Sequence, residues 1–471
     1  MKHSLFYIIF LINMMQVSSQ IFDVETLKLS GDTDKRINLV ILSEGYQESE
    51  LDQFTVDATD FMNDMFSQSP FAEYVDYFNV YIIKVPSNES GADHPGTATD
   101  VTEPATPIMT KDTYFNATFD AFGYHRFLYY GIDYADAAST ELKIRSVLAD
   151  NFPTYDQALI LVNSPYYGGT GGEFPISSKA TSANEIAIHE LGHSLFNLKD
   201  EYELPDVYYA ESINMTQETN PGLIKWKNWI GTNSIGIYPY GTSGVSATWN
   251  RPHQNCKMRY LGVPFCSVCK EGMIEKIHDL VSPIDSYTPI SNTVESSTFP
   301  IDFQLNLINP KPNTLESVWT LNASNFANNV DAVSLIETNL TEGTNTLTSI
   351  VNDATALLKI DNHETIHVYT ITWTINYSAL GVEDINSIVN NLTINVFPNP
   401  TNNIVNFDFE NSNNLTLKID IVTMDGKKLK SLLVSNYEMQ QMDISNLSTG
   451  IYITNFYANN TLIASKRLVK N

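Results

Sequence analysis

Residues 182–202 read Ser-Ala-Asn-Glu-Ile-Ala-Ile-His-Glu-Leu-Gly-His-Ser-Leu-Phe-Asn-Leu-Lys-Asp-Glu-Tyr. At their centre stands His189-Glu190-Leu191-Gly192-His193, the pattern His-Glu-x-x-His. On a helix, residues four apart lie one turn apart on one face, so both imidazoles can reach a single ion. The acidic side chain beside the first histidine can reach the water-occupied position of that ion rather than the ion itself. Ser182 and Glu185 have capping-box spacing, which predicts a helix start just upstream. Ile186, Ile188, Leu191, Leu195 and Phe196 give the helix an apolar side to bury. Asn197 tolerates the left-handed conformation that ends helices, so the chain can turn there and bring Asp200 back toward the ion.

A catalytic zinc ion takes three protein ligands and keeps one open position. His189 and His193 supply two ligands. Asp200, seven residues past His193, is the third ligand favoured here, with Glu201 and the Tyr202 hydroxyl as alternatives. Glu190 is read as the general base, taking a proton from the attacking water and passing it to the leaving amine. Gly168, Gly169, Gly171 and Gly172 fall shortly before the helix. They suit either a close backbone approach at the lip of a substrate cleft or a flexible connector. The competing reading of the whole motif is a pair of surface histidines on an amphipathic helix.

Outward from this segment, strand and helix alternate. Residues 37–42, 77–83 and 158–162 read as buried strands, and 48–66 and 135–150 as helices. This predicts a twisted sheet with the histidine helix packed on it. Residues 86–110, rich in Pro, Thr, Gly and Asp, predict a long loop. After about residue 283 short alternating strands take over, as at 303–307 and 368–373, which predicts a β-sandwich, with a passive packing role as the simpler alternative to binding. The last eighty or so residues are again β in pattern, with a hairpin at Asp425-Gly426.

The 471 residues suffice for about three domains. An excess of 54 acidic over 27 basic residues, a formal charge of −27, argues against nucleic acid or an anionic membrane as partner. Residues 1–19 read as a secretory leader: Lys2 and His3 open it, 5–15 form an apolar core, and Val17-Ser18-Ser19 suits cleavage before Gln20. That core is too short for a transmembrane helix, and no other span is evident. The mature chain is therefore expected to be soluble and exported. Cys256, Cys266 and Cys269 are the only cysteines. In an exported chain they allow one disulfide, Cys256 with Cys266 or with Cys269, and a leftover thiol.

The segment from His189 to Tyr202 resembles the IgA peptidase family of zinc metallopeptidases, a metzincin-like group. Ser43-Glu44-Gly45-Tyr46, the 168–172 glycine run, Cys256-Lys257-Met258-Arg259 and Phe265-Cys266-Ser267-Val268-Cys269 carry the same resemblance, over about residues 31–282. It implies His189, His193 and Asp200 as ligands of one Zn2+, Glu190 as base, and Met258 in the Met-turn beneath the metal. Residues 396–471 resemble the C-terminal sorting domain of type IX secretion in Bacteroidetes, through Phe397-Pro398-Asn399-Pro400, Met424-Asp425-Gly426-Lys427 and Leu447-Ser448-Thr449-Gly450-Ile451-Tyr452. That likeness implies contact with outer-membrane secretion machinery and release, or tethering at the cell surface.

The expected architecture is thus a leader (1–19), an α/β metzincin-like zinc peptidase domain (20–282), a β-sandwich (283–390) and a small β-sandwich sorting domain (391–471). The expected activity is endopeptidase action on extracellular polypeptides. The rivals are an inactive surface-binding protein working through its β-sandwich, and a zinc hydrolase of non-peptide amides or esters.

Overall fold

A computed structural model describes residues 20–203, 208–295, 298–378, 392–410, 416–434, 439–458 and 461–471. The leader expected at 1–19 lies outside the described residues, as does 379–391 around the expected start of the last domain. The chain divides into two compact units, residues 1–376 and 377–471.

The first unit is built on a six-stranded sheet. Its strands are β1 (Asp23–Lys28), β2 (Ile37–Glu44), β3 (Phe78–Lys84), β4 (Gln157–Val162), β5 (Gly169–Thr170) and β6 (Ile176–Ser178), in the order β1-β3-β2-β4-β6-β5. The four central strands are parallel, while β1 and β5 run antiparallel along the two edges. Every residue of β2 and β4 is buried, because helices and loops cover both faces of the sheet. Successive side chains point to opposite faces. Leu39, Ile41, Val80, Ile82, Leu159 and Leu161 therefore share one core with α1 (Leu51–Phe66), α3 (Asn184–Ser194) and α4 (Ser267–Leu280). Val40, Leu42, Ile83, Ile160 and Val162 face the other core, with α2 (Tyr134–Asn151) and the 115–130 segment. Each such aliphatic side chain removed from water contributes roughly 1.5–3 kcal/mol.

The strands and helices expected from the sequence appear with ends shifted by a few residues. Asp133, unnoticed in the sequence, caps α2 by accepting from Ala135 N at 2.8 Å and Asp136 N at 3.1 Å. The long loop extends from 86 to 132, well past the expected 110. Glu44, at the end of β2, is wholly buried and fixes it. Its carboxylate accepts from Thr113 Oγ1 at 2.6 Å and from Phe115 N and Ala117 N, both at 2.8 Å. Gly45, at φ +68°, lies so close to Gly91 that a Cβ would stand 1.9 Å from Gly91 O.

Residues 284–376 contribute a five-stranded sheet and a three-stranded sheet to the same unit. Alternate residues of Ile301–Leu307 and Gly343–Asp353 are buried, as sheets solvated on one face require. Trp319 and Trp373 stack at 5.8 Å in their core, with Phe303 edge-on to Trp373 at 5.1 Å.

The second unit pairs a three-stranded with a four-stranded antiparallel sheet around Phe407, Phe456, Ile419 and Leu468. The expected hairpin is present: Leu417–Val422 pairs antiparallel with Lys428–Val434, and Gly426 takes φ +85° in the turn.

Candidate metal centre and active site

Helix α3 begins at Asn184, not at a Ser182 cap. Residues 181–183 form a 3-10 turn, and Ala183 precedes the helix without a side-chain cap. Glu185 is committed elsewhere, to an ion pair with Lys257 and to Gly262 N at 2.8 Å. That interaction ties α3 to the 257–262 loop. The helix stops at Ser194, and Asn197 adopts φ +57°, as its identity predicts. Asn197 N then donates to His193 O at 3.0 Å and Leu198 N to Gly192 O at 2.9 Å, folding the chain back beneath the helix.

The return places Asp200 Oδ1 3.0 Å from His189 Nε2 and 3.1 Å from His193 Nε2, and the two Nε2 atoms 3.2 Å apart. Each ring has its other nitrogen fixed. His189 Nδ1 donates to Lys257 O at 2.9 Å and His193 Nδ1 to Leu198 O at 2.7 Å. A carbonyl oxygen can only accept, so each Nδ1 carries a proton and each Nε2 faces Asp200, as a donor while the ring is protonated and as a lone pair once it is neutral. Burial opposes a charge on His193, but the neighbouring Asp200 outweighs it and lifts the imidazole to about 9. Burial likewise opposes ionisation of Asp200, yet hydrogen bonds from the two imidazoles hold its carboxyl well below the usual range. The cluster stores negative charge against imidazole nitrogen, which is the donor set of a divalent metal.

Glu190 Oε2 stands 4.0 Å from His193 Nε2, close to the cluster but outside it. Burial raises its pKa, the two histidines pull it down in part, and Asp200 adds to the rise. Its carboxylate lies against Gly171, where a Cβ would stand 2.2 Å from Oε2. A side chain there would have to displace the Glu190 carboxylate. Gly169 opens the edge strand β5, and Gly168 packs on Phe119. Two clefts adjoin at Glu190 and together form the groove, one lined by Gly172, His193 and Tyr240 and the other by Gly169, His189 and Tyr202. Met258 is fully buried beneath α3, its Sδ 2.9 Å from where a Cβ on Gly192 would stand.

Of the alternative third ligands, Glu201 turns away. It is wholly buried, accepts from Asn214 Nδ2 at 3.1 Å, and receives Cys269 Sγ at 3.2 Å. Tyr202 stays near, its ring 6.5 Å from that of His189 and 27° from parallel to it, and the Asp200 charge helps to raise its pKa. Cys256, Cys266 and Cys269 are free, buried thiols, with Cys256 and Cys269 sulfurs 3.6 Å apart.

His363-Glu364-Thr365-Ile366-His367 repeats the pattern of α3. It begins in α5 (His363–Ile366), where both imidazoles meet Glu275.

Residues 25–243 match the family model of the IgA Peptidase M64 proteins. The M64 match spans just under half of the 471 residues and includes both histidines, Glu190 and Asp200. Residues 395–471 match the model of a secretion system C-terminal sorting domain. A peptidase family joined to a type IX sorting tail suggests a secreted peptidase, addressed to the cell surface or beyond, and the tail implies contact with the secretion machinery. Among the described residues, no helix is long and apolar enough to cross a membrane. No curated protein matches the chain. Solved structures match weakly. Dimeric latent PorU from Porphyromonas gingivalis is 14% identical over 40% of this chain and 20% of that one, at TM-score 0.16. The Clostridium thermocellum CbhA fibronectin(III)-like modules are 9% identical over 40% and 93%, at 0.15, and Bacteroides uniformis beta-glucuronidase 3 is 9% identical over 48% and 29%, also at 0.15. The chain thus spans a fifth of PorU and under a third of the glucuronidase, and scores this low carry no argument.

Proposed function

We propose that the M64 region is a zinc-dependent endopeptidase with a metzincin-like catalytic site, acting on extracellular polypeptides after secretion. The observation that carries this reading is the meeting of His189 Nε2, His193 Nε2 and Asp200 Oδ1 within 3.2 Å of one another. Ligand atoms about 2.0–2.1 Å from a tetrahedral zinc stand ~3.3 Å apart, so the residues present fit the ion. His189, His193 and Asp200 would hold it, and the buried Met258 would floor the site. When bound, zinc supplies a Lewis acid that polarises the scissile carbonyl and acidifies water.

Glu190 does the proton work. Its raised pKa makes it a stronger base than an exposed carboxylate, and its place in the groove lets it take a proton from the attacking water and deliver it to the leaving amine nitrogen. Tyr202 stays protonated, since burial and the Asp200 and Glu190 charges all raise its pKa. A groove open to both sides of Glu190, beside the edge strand β5, suits an extended chain better than a compact amide or ester. The complete His/Glu/His/Asp set favours an enzyme over an inactive binder. We assign 20–282 to catalysis, 283–390 to the sandwich and 391–471 to sorting.

The test is Glu190→Gln in the purified chain, with cleavage profiled on a proteome-derived peptide mixture and zinc measured by elemental analysis. Full zinc with abolished cleavage is expected. Near-normal turnover would remove Glu190 from the base role, and a zinc-free active wild type would end the reading.

A further inference from the structure

The 86–132 excursion gathers a second set of metal-type donors, far in sequence from α3. His94 is wholly buried, as is Asp120, and Glu103 and His125 close the group from its partly exposed side. One donor atom from each lies within 4.8 Å of the others. His94 Nε2 is 3.5 Å from Glu103 Oε2 and 3.4 Å from Asp120 Oδ2. His125 Nδ1 is 3.7 Å from Glu103 Oε1 and 3.4 Å from Asp120 Oδ1.

These separations discriminate between two arrangements. A direct ion pair between imidazolium and carboxylate closes to about 2.7–2.9 Å. Donors sharing a tetrahedral zinc stand ~3.3 Å apart. All four distances, which run to both oxygens of each carboxylate, are longer than such an ion pair; His125 Nδ1 keeps a long hydrogen bond to Asp120 Oδ1 at 3.4 Å, whereas His94 Nε2 has no hydrogen-bond partner although it is out of reach of solvent. An unpaired buried nitrogen of this kind is unfavourable unless something binds it.

The surroundings orient the donors inward. His94 Nδ1 donates to Pro107 O at 2.9 Å, which fixes the tautomer and leaves the Nε2 lone pair facing the carboxylates. Thr97 N donates to Asp120 Oδ2 at 2.8 Å and Ala105 N to Glu103 Oε2 at 3.1 Å. Among the described residues, no Lys or Arg forms an ion pair with either carboxylate. Two imidazoles and two carboxylates form a closed, borderline donor set, suited to zinc rather than to calcium, which takes six to eight oxygens.

We propose that His94, Glu103, Asp120 and His125 bind a second, structural zinc ion that pins the 86–132 excursion against the substrate groove. The mechanical link is short. His125 precedes Arg126, whose carbonyl accepts from Gly169 N at 3.2 Å, and Leu128 O accepts from Thr170 Oγ1 at 2.8 Å. Arg126 and Phe127 line the groove alongside His189 and Glu190. The ion would therefore set the wall that faces β5 without touching the reacting atoms.

The experiment counts zinc in the dialysed full chain, in His94→Gln/His125→Gln, in His193→Gln and in all three substitutions combined. Two zinc ions per wild-type chain, one in each of the first two variants and none in the combination, is the expected result. A wild-type count unaffected by His94→Gln/His125→Gln overturns the proposal, while loss of zinc in His193→Gln alone would still leave the peptidase reading standing. Anomalous diffraction at the zinc edge from wild-type crystals provides a check independent of variant folding. A peak among the four side chains supports the site, and density without one there overturns it.

Discussion

His-Glu-x-x-His occurs at 189–193 and again at 363–367, and in both copies the two imidazoles meet one carboxylate, Asp200 in the first and Glu275 in the second. The first sits in an eleven-residue helix, so its histidines are held one above the other and their Nε2 atoms come within 3.2 Å. The second begins a four-residue helix and ends just beyond it. There His363 Nδ1 lies 2.5 Å from Glu275 Oε1, and His367 Nε2 lies 3.2 Å from Glu275 Oε2 and 3.7 Å from Asp279. Glu190 faces the groove, whereas Glu364 is exposed to solvent. The spacing gives two imidazoles on one side of the chain; a reactive centre also needs a helix long enough to fix them, a return that delivers a third donor, and a carboxylate held out of bulk water.

The comparison can be broken in several ways. Glu190→Gln is expected to lower kcat by about 10³-fold, within the usual range for general bases, while Glu364→Gln leaves peptide cleavage unchanged. Equal losses in steady-state assays would erase the distinction between the copies. Asp200→Ala should weaken zinc binding by at least about 100-fold in competition with a chelator. An unchanged zinc affinity would transfer the ligand role to Glu201. Glu275→Ala should cost about 1–3 kcal/mol in urea unfolding, because two buried imidazoles lose the carboxylate they meet, with kcat/KM unaffected. A kinetic defect in that variant would give the second copy a part in catalysis.

The smallest effect concerns pH. Asp353 accepts from His278 Nε2 at 3.0 Å, Thr314 Oγ1 at 2.6 Å and Tyr74 OH at 2.5 Å. Burial opposes its ionisation, but these bonds outweigh it and leave its pKa depressed. A depressed folded-state value contributes stability that is full above the unfolded value of about 3.9 and lost as pH falls through the folded one. The acid limb of Tm against pH should therefore be shallower in Asp353→Asn than in the wild type. Parallel acid limbs would show that this carboxylate does not titrate with unfolding.

The parallel core was legible because burial on both faces leaves continuous apolar runs, as at 37–42 and 158–162. The 303–307 and 368–373 strands were legible through alternation. The helix carrying His189 was recognised by its motif, but its start was misplaced, since the Ser182/Glu185 spacing mimics a cap while Glu185 is engaged by Lys257 some seventy residues away. β5 and β6, of two and three residues, carry no period to read. The group at 94, 103, 120 and 125 is scattered through a loop without repeat, and only the clamp at Glu44 and the folding of the excursion bring it together. Glu275 and His363 are likewise neighbours only through the packing of α4 on the segment after Asp353.

That packing bears on how the molecule can be divided. Tyr74 and His278 belong to the α/β region and Asp353 to the last residue of a sandwich strand, and Lys359 N bonds Glu271 on α4 as well. A recombinant fragment ending at residue 282 would bare the underside of α4 and strand a buried tyrosine and a buried histidine without their acceptor. Expression work on the peptidase should keep the sandwich attached and trim, if anywhere, after residue 376.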